Sequence, residues 1–68
     1  MMKFIEFADR YTQYCYNTNH IIHVAWDVGA DIIQIETVSK AFNHYFEDAE
    51  TAKFVYYNHI MSNLIEEV

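Results

Sequence analysis

Histidines, one cysteine and an excess of acids are the side chains in this sequence that could do chemistry. His20 and His23 stand three apart, and His44 and His59 lie far along the chain. Histidines three apart share a face on a helix but point opposite ways on a strand, and this pair opens a stretch that alternates with period two. The sequence has no His-Glu-x-x-His and no paired-cysteine motif. No metal site and no cofactor are expected. Cys15 is the only cysteine, which rules out an internal disulfide. It falls on the apolar arc of a helical reading, as a small core residue rather than a nucleophile, which needs a base and access. A short chain with one glycine and no proline has little room for a substrate-sized cleft. The protein is read as not an enzyme.

The acids remain. Ten Asp/Glu against four Lys/Arg give a net charge of −6. That balance repels a phosphate backbone, so direct nucleic-acid binding is not expected. It speeds association with a basic partner. Glu47, Asp48 and Glu50 precede the last apolar run, where acids start a helix and meet its positive end. Capping does not account for Asp27, Asp31 and Glu36, nor for Glu66 and Glu67 at the far end of that helix, where the dipole disfavours them. One reading is solubility. The sharper one is a surface that imitates a nucleic-acid backbone, which in duplex DNA offers about one charge per 1.7 Å of axis.

Elements must hold these acids in place. The 68 residues form one domain, 1–68, and a domain this small buries only roughly 60% of its unfolded surface. Residues 3–16 are predicted as a helix. Phe4, Phe7, Ala8, Tyr11, Tyr14 and Cys15 fall in one arc at helical spacing. Ile5 and Tyr16 fall outside it. From His20 the period becomes two: Ile22, Val24, Trp26 and Val28 point one way. Gly29 breaks the run, and residues 31–37 resume it with Ile33, Ile35 and Thr37 against Ile32, Gln34 and Glu36. Two such runs about a glycine predict a hairpin.

Residues 38–46 fit either a helical stripe or an alternation of Phe42, His44 and Phe46 against Ala41, Asn43 and Tyr45. The strand is preferred, because a lone hairpin is marginal and a third strand gives it a face to bury. A long helix follows from Asp48 to near Glu67, with Phe54, Tyr57, Ile60, Met61, Leu64, Ile65 and Val68 as its core arc. The expected fold is α+β, ordered α-β-β-β-α. A three-stranded antiparallel sheet carries two helices on one face in two layers.

Val55, Tyr56 and His59 lie outside the core arc of the second helix and are candidates for an oligomer interface, since aromatics gather at interfaces. Tyr45 and Tyr56 are candidate anchors for a partner. Residues 1–10 lack the apolar core of a signal peptide, and no run reaches the roughly 20 apolar residues of a membrane span. A cytoplasmic protein is expected.

In its short length, excess acid and helix–three-strand–helix order, with "DVGAD" at the hairpin and "YFEDAE" before the last helix, the chain resembles small acidic phage-encoded inhibitors of host defence, including anti-CRISPR proteins. The resemblance implies stoichiometric inhibition in the host cytoplasm. Acids would occupy a basic groove of a nucleic-acid-binding nuclease or effector. It carries over no residue roles. The residues expected to grip a basic partner are Asp27, Asp31, Glu36, Glu47, Asp48, Glu50, Tyr45 and Tyr56. The alternative is a homodimeric structural or regulatory module joined through the second helix.

Overall fold

A computed structural model describes residues 3–64. The predicted first helix is instead a β-hairpin, β1 (Phe4–Ala8) and β2 (Gln13–Asn17), paired from Phe4↔Asn17 to Ala8↔Gln13. The cause is Asp9. Its Oδ1 accepts the N–H groups of Tyr11 (2.8 Å) and Thr12 (2.9 Å), while the Asp9 N–H donates to the Thr12 carbonyl at 2.9 Å. An aspartate that closes such a turn competes with helix for the same backbone groups. The flanking aromatic and β-branched residues favour strands. Alternation then sends Ile5, Phe7 and Tyr16 inward, and leaves Phe4, Tyr11 and Cys15 exposed. The helical arc had sorted these residues almost in reverse.

A short 3₁₀ turn (Thr18–His20) leads into β3 (Ile21–Ala25), β4 (Ile32–Thr37) and β5 (Ala41–Tyr45), an antiparallel sheet in the order β3-β4-β5. The expected three strands are therefore present, and 41–45 is a strand. Ile33, Ile35 and Thr37 are buried as the alternation requires, and so are His44 and Phe46. β3 departs from expectation. A register shift between Ile21 and His23 puts Ile22 outside, and Val28 stands almost fully exposed in the following loop. Ile21, Val24 and Trp26 pack against the core instead. Gly29, at φ +88°, is in the left-handed region that the turn from Asp27 to Ala30 demands.

The last helix starts where expected. Asp48 is its N-cap, accepting the Thr51 N–H at 2.8 Å. It runs as α1 (Ala49–Val55), a π-helical stretch (Tyr56–Met61) and a short end, α2 (Ser62–Leu64). Its buried face is Ala52, Val55 and Ile60. On a straight α-helix Val55 and Ile60 would lie about 140° apart. The wider π turn, with its i→i+5 repeat, brings them to one side. Asn58 Nδ2, Ser62 Oγ and Asn63 Nδ2 donate to the carbonyls four residues back, at 3.0, 2.7 and 2.8 Å, a pattern that distorts helices. Phe54 and Tyr57, expected inside, are consequently outside.

The helix lies against β1 and β4, so both sheets and the helix share one core. The domain is α+β with a three-stranded antiparallel sheet, but the layer expected to hold two helices holds one helix and a hairpin.

Candidate functional site

Register decides where the acids go. Ile32, the first residue of β4, faces Tyr45, the last of β5, and the Phe46 N–H donates to the Asp31 carbonyl at 2.8 Å. Asp31 and the Glu47–Asp48 pair therefore lie at one end of the sheet. The β3–β4 loop turns at Asp27 at that same end, and Val28 and Gly29 border a cleft with Ala49 and Glu50 of the helix start. Asp27, Asp31, Glu47, Asp48 and Glu50 thus gather at one end of the domain, all exposed. Glu36 is elsewhere. It faces Ala41 beside the β4–β5 turn, toward the opposite end of β4. Hydrogen bonding from Thr51, side chain and backbone, holds the Asp48 carboxyl below the usual carboxylate range. Glu66 and Glu67 lie outside the described residues.

The aromatic candidates divide. Tyr45 is partly exposed and meets Tyr11 edge-on at 6.3 Å, because the Arg10 N–H donates to the Tyr45 carbonyl at 2.8 Å and draws the β1–β2 loop to this end. Tyr56 is half-buried against Trp26 at 5.3 Å and is a poor anchor for a partner. Val55 belongs to the core and His59 is half-buried with its ring at 5.7 Å from Phe54. The expected oligomer face is therefore largely turned inward. The π stretch is the reason, and Phe54 and Tyr57 are the aromatics the helix presents.

Sequence reasoning missed a second cluster. Asp9, Tyr16 and His44 meet in the interior, although 28 and 35 positions separate His44 from its two partners. Asp9 Oδ1 is engaged by backbone donors, leaving Oδ2 for His44 Nδ1 at 3.1 Å. A carboxylate only accepts, so Nδ1 carries the proton, and Nε2 accepts from the Tyr16 hydroxyl at 2.5 Å. Phe7, Tyr14, Tyr16 and Phe42 surround the imidazole with ring centroids at 4.3–6.4 Å. Burial pushes His44 below its ordinary value, opposed in part by Asp9. Burial raises the Asp9 carboxyl, but the Tyr11 and Thr12 N–H groups and His44 outweigh it and hold it below the usual range. Burial, Tyr14 and Asp9 push the Tyr16 hydroxyl up.

An Asp–His–Tyr chain can pass a proton in an open site. Here the imidazole is fully buried, so no substrate reaches it. What it does is bind the β1–β2 hairpin to β5. The available signal was Asp9 followed three residues later by Thr12, the same spacing as Asp48 and Thr51.

Among the described residues, no group of three His, Cys, Asp or Glu side chains is placed to hold a metal ion. No described helix is long and apolar enough to cross a membrane. No protein-family model, curated protein or solved structure matches this chain.

Proposed function

We propose that this protein is a non-enzymatic binder that inhibits or modulates a basic protein, of the kind that handles nucleic acid, by presenting carboxylates where a phosphate backbone would lie. The observation that supports this reading is the gathering of Asp27, Asp31, Glu47, Asp48 and Glu50 around one end of a cross-paired sheet. Asp27 and Asp31 are tied through their carbonyls to the Ala30 and Phe46 N–H groups and Asp48 through its cap, which limits the backbone ordering that contact must impose. Charge of this kind governs encounter rate and choice of partner. The resemblance to phage-encoded inhibitors of host defence, which implies such a role, is left with short length and excess acid, because a hairpin stands where its first helix was expected.

The test is capture of partners from a bacterial lysate at low and high salt, with Asp27→Lys/Asp31→Lys and Glu36→Lys variants run in parallel. Nucleic-acid-binding proteins are expected to be held at low salt, lost at high salt, lost with the double variant and retained with Glu36→Lys. Equal capture by wild type and the double variant, without salt dependence, would remove the proposal.

A second reading has its own observation. Phe54 and Tyr57 are both more than half exposed on the outer side of the helix, which favours a homodimeric module joined there. Native mass measurement at rising concentration separates the two. A dimer abolished by Phe54→Asp supports the module.

A further inference from the structure

The acid end also holds a cleft of about 270 Å³ between the β3–β4 loop and the helix. Two of its walls are aromatic. The Trp26 and Tyr57 rings stand at 80° to each other with centroids 6.1 Å apart, and form a corner rather than a stack. The Trp26 indole N–H donates to the Ala30 carbonyl at 2.8 Å, so the ring is fixed and its donor is used. Tyr56 backs it at 5.3 Å. Across the opening stands Val28, 91% exposed, an apolar side chain with almost nothing of its own fold against it. Glu50 borders the same cleft, and Asp27, Asp31 and Asp48 surround this end of the domain.

Aromatic faces attract cations, and do so more strongly when water is excluded. Glu50, the one carboxylate that borders the cleft, adds to the attraction. We propose that this cleft receives the guanidinium of an arginine side chain on the basic partner, an inference that rests on the reading of the protein as a binder of such a partner. Arginine fits better than lysine. A planar guanidinium stacks on one ring while its edge donates in pairs to a carboxylate, and it sheds water more readily than an ammonium.

Lys53 borders the cleft as well. It is not stacked on these rings; the cation–π pair in the described structure is Lys40 over Phe42, at 4.8 Å. Its charge opposes an arriving cation. Removing that charge should therefore strengthen binding, whereas it would weaken that of an anionic occupant and leave that of a neutral one unchanged.

Trp26 is the only tryptophan in the chain, so its fluorescence reports on this cleft alone. The probes are end-blocked nonamers of arginine and of lysine, titrated at low salt, with calorimetry recording total binding and Trp26 emission recording the cleft. The arginine peptide is expected to change the emission saturably and to bind more tightly than the lysine peptide. Tyr57→Leu, which keeps apolar bulk and loses the ring, should weaken it about fivefold, and Tyr57→Phe should not. Lys53→Gln should tighten it several-fold. Glu50→Gln, at an exposed position, should weaken it about two- to fivefold and keeps the test open should Tyr57→Leu not fold.

Salt-sensitive calorimetric binding with unchanged Trp26 emission, or with no effect of these variants, would overturn the arginine cleft and leave the acidic-binder reading standing. Absence of calorimetric binding by either peptide would overturn both.

Discussion

Asp9 and Asp48 begin alike. Each follows the end of a strand, and each accepts the N–H of a threonine three residues on, in "DRYT" at 2.9 Å and in "DAET" at 2.8 Å. After Asp48 the residues are Ala49 and Glu50, which favour a helix, and the chain winds on. After Asp9 come Arg10 and Tyr11, and the chain turns back into a strand. The second oxygen of Asp9 is closed in by His44, while Asp48 faces water beside the other acids. One capping interaction thus serves a buried bridge in the first case and an exposed charged end in the second. What separates them is the company each carboxylate keeps in space, and its own loop does not reveal that.

The greatest loss is expected at His44. His44→Ala strands a buried carboxylate and a buried hydroxyl and empties the ring cluster, at a cost of about 3 kcal/mol or more in urea unfolding. Asp48→Ala, which loses only an exposed cap, should cost clearly less. Equal losses would mean that the buried bridge is no more structural than the cap.

A next-largest effect is expected from pH. His44 titrates lower folded than unfolded, so the stability it contributes is complete above its unfolded value of about 6.5. It is lost as pH falls through the folded value. Asp9 has the same sign, with its own loss beginning below about pH 4. Unfolding midpoints measured from pH 7.5 to 3.5 should fall in that order. A midpoint that is flat from pH 7 down to 5 would show that the imidazole is not held neutral by burial.

The smallest effect sharpens the other side. Asp27→Lys with Asp31→Lys touches no buried partner, and the change in stability should stay within about 0.5 kcal/mol per substitution, read by thermal unfolding. A large loss would make those acids structural and would weaken the case for a binding surface.

The alternation of β4 and β5 was legible, whereas an equally apolar alternation on β3 misplaced Ile22, where the register shifts. Ile33, Ile35 and Thr37 on β4, Phe42 and His44 on β5 and Phe46 just after it point as their alternation requires, and Asp48 caps the helix. Residues 3–16 were not legible, because Phe4, Phe7, Ala8 and Tyr11 satisfy a helical period while Ile5, Phe7, Tyr14 and Tyr16 satisfy a strand period. The backbone bond from Asp9 to Thr12 and the β1–β2 pairing it closes select the strand period. The helix was recognised but its face was misassigned, since no simple period continues across a π turn. The convergence of the acids followed from the β4–β5 register, and the Asp9–His44–Tyr16 bridge from long-range pairing. Neither has a local signature.

The widened turn in the helix amounts to one inserted residue. Delete Asn58, and Val55 stands four residues from the isoleucine now numbered 60, the ordinary spacing of an α-helix. The same core could then close over a straight rod. A deletion in α1 would instead swing Ala52 away from the sheet. Kin of this protein are therefore expected to vary in length at that turn before any other point along the helix.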